Sequence, residues 1–408
     1  MGQDFDILVI GGGAAGFFTA INAAEFLPKA KICILERGKE VLTKVRVSGG
    51  GRCNVTHAEF LPKELSKNYP RGEKELLGPF HQFMTGDTIE WFDNRGVELK
   101  IEEDGRMFPT TDSSETIIDC FLNETKRLGI QVLKNKPVQQ LEKEGDFWKI
   151  GVKNEIFTTK KLVIATGSNP KIWKLLQNLG HKIVPPVPSL FTFNIKDERI
   201  SNLPGVSTQA SVKVLGTKLE AEGPLLITHW GMSGPAILRL SAWGAKELNE
   251  KNYNFSIQVN WLVDVSATEI LEELKTLKLA QAKQQFTKRQ HFELPKRLWK
   301  SLAKAAGISE TTTWAELNKK QLLNFVELLT ASKFEVSGKS TFKEEFVTAG
   351  GVELTEVDFK TFQSKLQKNL YFAGEVLNID AITGGFNFQN AWTGGFLVAK
   401  SLGLTIND

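Results

Sequence analysis

The chain has 408 residues, 41% hydrophobic and 24% charged, with a net charge of +4. That length calls for two or three domains, and the composition is that of a soluble globular protein. No apolar run has transmembrane length, Cys33, Cys53 and Cys120 form no C-x-x-C, and the five histidines share no ligand spacing, which argues against a membrane span, a redox dithiol and a metal centre.

The chain enters directly into a strand, with no signal peptide, so reduced cytoplasm is the expected compartment. Asp6-Ile7-Leu8-Val9-Ile10 runs into Gly11-Gly12-Gly13-Ala14-Ala15-Gly16. This is an apolar strand opening through G-x-G-x-x-G into a helix expected over 14–27, which Pro28 stops. Gly11 permits the tight turn, Gly13 a close backbone approach to a pyrophosphate, and Gly16 the packing of helix on strand. The helix start, at Ala14 and Ala15, offers free N–H groups to a diphosphate. A buried parallel strand at 31–35 ends in Glu36-Arg37, where Glu36 can accept hydrogen bonds from ribose hydroxyls. Its charge would repel a 2′-phosphate, so FAD or NAD suits the site better than NADP.

Residues 38–58 read as irregular and glycine-rich. Within them, Lys44-Val45-Arg46-Val47-Ser48-Gly49-Gly50-Gly51-Arg52-Cys53-Asn54 makes a donor-rich loop suited to a pyrophosphate and a flavin edge. Lys44 and Arg52 can neutralise phosphate, and Cys53 is either a redox thiol or a small buried residue. Helices are expected at 88–97 and 113–128, the second capped by Ser113 or Ser114. Strands are expected at 131–133, 137–141, 147–152 and 156–159, with a hairpin turn at Glu144-Gly145-Asp146. A buried strand at 161–165 then ends in Ala165-Thr166-Gly167, a pattern common where a flavoprotein sheet returns beneath its cofactor, which favours FAD over NAD.

After Pro185-Pro186-Val187-Pro188 the character changes. Residues 190–262 show short alternating strands, and 266–330 look helical and basic. Lys275, Lys278, Lys283, Lys288, Arg289, Lys296, Arg297, Lys300 and Lys304 are opposed within that stretch by Glu293 alone. They form either a solvated helical face or a surface for a polyanion such as RNA. From Phe346 the α/β character returns, so an insertion at 190–345 splits one nucleotide-binding domain made of 1–189 and 346–408. The insertion is β-rich over 190–262 and mainly helical over 263–345.

Near the C-terminus, Asn369-Leu370-Tyr371-Phe372-Ala373-Gly374-Glu375 is a strand followed by a Gly-acid pair. Asp380 and Thr383-Gly384-Gly385-Phe386-Asn387-Phe388-Gln389 follow, with a last helix expected over 389–402. In flavoproteins with two dinucleotide-binding domains, such a segment binds ribityl and pyrophosphate oxygens. The helix then aims its N-terminus at the flavin N1–C2 edge, where reduction places negative charge.

These runs, with Gly105-Arg106-Met107-Phe108-Pro109, Thr228-His229-Trp230-Gly231-Met232-Ser233-Gly234-Pro235-Ala236 and Val347-Thr348-Ala349-Gly350-Gly351-Val352, resemble a bacterial family of aminoacetone-oxidase-like or YhiN-like FAD-binding flavoproteins. The resemblance covers nearly the whole chain. It implies an α/β fold: a Rossmann-like FAD-binding domain built from both chain ends, with a central insertion made of a β-barrel part and a helical part. It places Glu36, Lys44, Ser48, Asn54, Val138, Thr166, Glu375, Asp380, Gly385 and Asn387 near FAD, Val138 through its backbone at the adenine. One departure is the short Gly167-Ser168-Asn169-Pro170 loop, where family members carry a longer glycine-rich one. His229 either sits over the flavin or has a structural role, and no residue is assigned as catalytic.

Three functions remain open on the sequence. The first is an FAD-dependent oxidoreductase of unresolved small-molecule substrate, reduced by that substrate or by transiently bound NAD(P)H. The resemblance suggests amine oxidation or reduction of steroid-like enones. The second, also from the resemblance, is reduction of uridine in ribosomal RNA, for which the basic segment would serve. The third is an FAD-containing binding or assembly protein without turnover.

Overall fold

The computed structural model describes residues 3–341 and 347–404. Two compact units emerge, Met1–Val187 with Lys343–Asp408, and Pro188–Phe342. The second expected boundary, at 345–346, lies outside the described residues.

The heart of the first unit is a parallel sheet in the order Leu370–Phe372, Glu155–Ile164, Gln3–Ile10, Ile32–Leu35 and Gln131–Leu133. Ile10 lies opposite both Leu35 and Ile164, and Ile164 opposite Phe372, so the strands end level. The apolar runs are what a sheet covered on both faces requires. Residues 156–159 and 161–165, expected as two strands, form the single strand Glu155–Ile164. Its first half pairs antiparallel with Phe147–Val152 and its second enters the parallel core. Lys161, which interrupts the apolar pattern, keeps its ammonium on Asn369 Oδ1 at 3.0 Å.

The first helix, Ala14–Phe26, packs along the last, Phe386–Leu404. A Cβ on Gly395 would lie 3.0–3.2 Å from Thr19 and the Ala15 carbonyl, so this small residue sets the close approach. The last helix starts three residues earlier than expected, at Phe386, whose carbonyl accepts from the buried Tyr69 hydroxyl at 2.6 Å. The helix expected at 88–97 is Thr85–Asp93, because Asp87 accepts from Met84 N at 2.7 Å and Gly96, at φ 73°, turns the chain out behind it. The 137–141 strand is displaced to Gln140–Glu144. Helix Ser114–Arg127 is capped by Ser113, whose Oγ accepts from Glu115 N.

At the sheet edge, Ser364 Oγ lies 3.0 Å from His181 Nε2, and His181 Nδ1 lies 2.9 Å from Glu356 Oε2. The order resembles a hydrolytic triad. However, Ser364 Oγ also accepts from the backbone N–H groups of Leu366 and Gln367, at 3.1 and 2.9 Å, and the residue is buried. Its lone pairs are committed, so the trio pins the strand edge rather than attacking a substrate.

The second unit is a closed barrel in the order Thr192–Ile195, Gly231–Ser233, Glu220–Ile227, Ser207–Val214, Asn254–Asn260 and Ser332–Ser340. Alternation fills its interior: Ala210, Val212 and Val214 point inward, as do Phe255, Ile257 and Val259. Strand Ser332–Ser340 lies in the stretch expected to be mainly helical, yet it closes the barrel with Phe334 and Val336 inside and Lys333 and Glu335 outside. Helices Ala267–Ala280, Lys296–Ala305 and Lys319–Thr330 belong to this unit's second part. There Phe286 meets Trp299, Trp314 and Phe325 at ring distances of 5.0, 4.6 and 5.1 Å. Such ring pairs add about 1 kcal/mol each beyond burial.

Candidate cofactor site

At the carboxyl ends of the parallel strands, three loops converge, the place where open α/β sheets bind ligands. The first is the glycine turn. A Cβ on Gly11 would lie 2.3 Å from the Ala165 carbonyl oxygen, and one on Gly16 only 1.9 Å from that of Gly11. Both positions therefore demand glycine, one for strand-to-strand approach and one for the turn itself. Gly13 differs: among the described residues nothing lies within 4 Å of its Cβ position, and no side chain caps the helix it opens. Open space faces a helix N-terminus with Ala14 half-buried and Ala15 behind it, the arrangement that accepts a diphosphate.

Glu36 is held in place rather than loose. Its Oε2 accepts from Gly12 N at 2.8 Å and its Oε1 from Gly38 N at 2.7 Å. Each oxygen keeps a further lone pair for a ribose hydroxyl. Lys136 N donates to the Glu36 carbonyl at 2.8 Å, which brings the segment carrying Val138 alongside. Arg37 is exposed.

The second loop, expected to be irregular, contains the broken helix Thr43–Gly51. Gly49, Gly50 and Gly51 follow Ser48 with φ of 58°, 69° and 87°. Side chains rarely adopt this left-handed backbone, so the run calls for glycine, and Gly50 has open space about its Cβ position. Ser48 Oγ is turned back to the Val45 carbonyl at 3.0 Å. Lys44 Nζ meets Glu375 Oε2 at 2.5 Å, linking this loop to the third. Arg52 does not stand ready for phosphate: it pairs with Glu102 at 2.6 Å and Asp112 at 3.4 Å and lies over the Phe108 ring. Cys53 is fully buried, and burial pushes its thiol up to about 12, so it is a protonated packing group and not a redox nucleophile.

The third loop follows the return strands. Ala165 N donates to the Ile10 carbonyl at 2.8 Å, and Ala373 N to that of Ile164 at 3.0 Å. Gly374 faces Ala15, with 3.0 Å between its Cβ position and the alanine methyl, while a Cβ on Gly167 would stand 3.6 Å from Glu375 Oε2, with Thr166 half-buried beside it. Gly384 and Gly385 lie against His57 and the Thr56 carbonyl. Asn387 closes the 381–387 turn, its amide bonding both Ala381 N and Ala381 O, at 3.0 and 3.2 Å. Phe386 is buried, its ring on His57.

Two more expected site residues, like Arg52 and Cys53, face elsewhere. Asp380 is wholly buried in a two-point pair with Arg71, whose Nε and Nη2 donate to its two oxygens. Gln389 lies in the core, accepting from Thr56 and Thr88 hydroxyls at 2.6 and 3.0 Å and donating to Thr393 at 3.1 Å. Both shape the third loop from behind. Arg71, Tyr69 and His57 were missed by sequence reasoning, since their partners lie more than 300 residues away. On the second unit, His229 and Trp230 are exposed at a tight turn, with Thr228 N bonding the Gly231 carbonyl at 2.8 Å.

The cradle fits an extended dinucleotide. Besides the open space at Gly13 and Gly50, buried Asn378 Oδ1 and Asn390 Oδ1 accept no hydrogen bond among the described residues, and both flank the 379–389 segment. Such acceptors suit the hydroxyls of a ribityl chain.

A model of the HI0933-like protein Rossmann domain matches residues 5–401. The chain is 29% identical to the ribosomal RNA dihydrouridine synthase of Haemophilus influenzae, over 98% of this chain and 99% of that one. It is 27% identical to the 3-dehydro-bile acid delta(4,6)-reductase of Clostridium scindens, over 96% and 98%. Its fold is similar to that of 3-ketosteroid delta1-dehydrogenase from Sterolibacterium denitrificans, with a TM-score of 0.51 at 10% identity over 99% and 100% of the chains. The glycine cradle at the sheet's carboxyl edge and the match along the chain agree, and the protein belongs to the HI0933-like Rossmann family of FAD-binding flavoprotein oxidoreductases.

Proposed function

We propose that the protein is an FAD-dependent reductase of a carbon–carbon double bond conjugated to a carbonyl, acting on uridine in ribosomal RNA. One observation carries the reaction class: two relatives aligned over nearly the whole chain differ in substrate and share a chemistry. Dihydrouridine is uridine with its ring double bond saturated, and a delta(4,6)-reductase saturates bonds that a 3-oxo group can polarise. Saturating either bond would put a hydride on the carbon distal to the carbonyl and a proton from solvent on its neighbour, with negative charge developing on the carbonyl oxygen between the two.

When bound, FAD would supply the hydride, and NADH or NADPH docking transiently would re-reduce it. The chain's own residues bind and orient. Glu36 would hold the ribose, and the N–H groups behind Gly13 the diphosphate. Lys44, tied to Glu375, would keep the second and third loops together. The N-terminus of the last helix would face the flavin edge, where its dipole favours the negative charge of the reduced ring.

RNA as substrate is supported by the basic stretch of the second unit. Of its nine cations, Lys275 is paired with Glu272, Lys278 bonds the Leu317 carbonyl, Arg297 bonds the Asn202 and Pro204 carbonyls, and Lys300 lies 3.7 Å from Glu310. Two acids that flank the stretch, Glu272 and Glu310, thus also oppose it. Lys283, Lys288, Arg289, Lys296 and Lys304 remain exposed and form no ion pair among the described residues. Such charges release counterions from a polyanion and make its affinity fall steeply with salt.

The test is to reduce the holoprotein anaerobically with NADH or NADPH and follow flavin reoxidation by ribosomal RNA and by a steroid 4-en-3-one. Reoxidation by RNA, with dihydrouridine formed and binding lost between low and moderate salt, is expected. Reoxidation by the steroid alone would transfer the reading to a small enone. Protein that purifies without flavin and binds no added FAD would refute the cofactor assignment.

A further inference from the structure

The two-residue strand Thr56–His57 pairs with Arg106–Pro109, which pairs in turn with Leu99–Ile101. This small sheet stands apart from the main one and is joined to two of the three cradle loops. Toward the second loop, Val55 N donates to the Met107 carbonyl at 2.9 Å, and a Cβ on Gly49 would lie 2.8 Å from the Phe108 ring. Toward the third, a Cβ on Gly385 would lie 2.5 Å from the Thr56 carbonyl oxygen.

His57 sits at the centre of this contact. Its Nδ1 is 3.1 Å from the Gly384 carbonyl oxygen, which can only accept, so Nδ1 carries the proton. Its ring stacks on Phe386, the first residue of the last helix, at 4.5 Å and 29°. Asn54, three residues earlier, takes the neighbouring peptide: with its amide turned to suit its surroundings, Oδ1 accepts from Gly385 N at 3.0 Å. Gly105 leaves room for the imidazole, since a Cβ there would come within 2.6 Å of Nε2.

The held residues are ones that need holding. Gly384 and Gly385 have φ of 130° and 95°, and glycine by itself defines neither. They also precede the first helical bond, from Gln389 N to the Gly385 carbonyl at 3.0 Å. The N–H groups of Phe386, Asn387 and Phe388 thus lie in the turn whose direction these glycines set.

We propose that His57 is a positioning residue for the cofactor: by donating to the Gly384 carbonyl and stacking on Phe386, it aims the first N–H groups of the last helix at the flavin of bound FAD and so tunes how well the reduced flavin is stabilised. The inference rests on the FAD reading. It also gives the Gly105-Arg106-Met107-Phe108-Pro109 run a task, as the strand that carries the His57 strut.

The experiment measures the midpoint potential of FAD in the full-length holoprotein by dye equilibration, for the wild type, H57F and H57N. Phenylalanine keeps a ring on Phe386 without the donor, and asparagine restores an N–H near the Nδ1 position. In H57F the reduced-to-oxidised ratio at a fixed dye potential falls about fivefold, the scale of a helix-terminus interaction. In H57N it stays within about twofold of wild type, while thermal unfolding of both variants changes little. Should H57F not retain FAD, H57A takes its place in the same comparison. A potential equal to wild type in the donor-lacking variant, or a shift that H57N fails to reverse, overturns the inference alone. A wild type that binds no FAD overturns the cofactor reading and this inference with it.

Discussion

Replacing Asp380 by alanine tests what holds the third loop. The carboxylate is wholly buried, and the Arg71 side chain is 12% exposed, so D380A leaves a largely desolvated guanidinium without its main counter-charge. Removing one partner of a buried ion pair costs roughly 3–5 kcal/mol. The backbone bridge between Arg71 and Asp380, and the bond from Ile382 N to the Asn68 carbonyl at 3.0 Å, depend on the same docking. At about 2–4 °C per kcal/mol for a domain of this size, the melting temperature should drop by roughly 10 °C. The loop between Gly374 and Gly385 should loosen as well, so FAD should dissociate more readily. The assay is thermal unfolding of the FAD-free protein, with FAD affinity measured by flavin fluorescence. R71M/D380L, which removes both charges, should recover much of the lost stability, since the cost lies in the orphaned charge. Destabilisation below about 1 kcal/mol for D380A, or a double variant as unstable as the sum of the singles, would refute the reasoning.

Three further outcomes are expected. Alanine at Gly16 would place a methyl carbon 1.9 Å from the Gly11 carbonyl oxygen, so G16A should purify with little or no FAD and a lowered melting temperature; full flavin occupancy would contradict the geometry. Cys33, Cys53 and Cys120 are each pushed up to about 12 by burial from an ordinary value of 9.0. The thiol form is favoured in the fold, so this stability is complete below pH 9 and declines as pH rises toward 12; a melting temperature that climbs over that range would contradict it. Ser364 is a lock and not a nucleophile, so a fluorophosphonate probe should leave it unlabelled, and S364A should cost about 1–2 kcal/mol, read by denaturant unfolding.

The readable part of this molecule is local. Gly11, Gly13 and Gly16 carry their meaning in their spacing, because a turn of a few residues must pass a strand into a helix without Cβ atoms. The apolar runs at 7–10, 32–35 and 162–164 announce a buried parallel sheet by composition alone. The alternation in Ser207–Val214 and Asn254–Asn260 announces strands with one face inside. Even the late barrel strand Ser332–Ser340 has that alternation, and was obscured only by its helical neighbours.

The pairing of charges and polar groups was not readable. Arg52, Asp380 and Gln389 each have the chemistry to touch a cofactor, and their sequence neighbours suggest it. Their partners are Glu102, Arg71 and the Thr56–Thr88 pair, at separations of 50, 309 and up to 333 residues. No local pattern encodes such a meeting, because it follows from how the sheet and the two packed helices bring distant turns together. The sequence by itself determined that a dinucleotide cradle forms and which backbone builds it, since turn geometry and strand burial are properties of adjacent residues. Only the tertiary structure decided which side chains face the cradle and which, like Asp380, Gln389 and His57, hold it from behind. A side chain's role depends on the charge and space it meets, and those are set by parts of the chain far away in sequence.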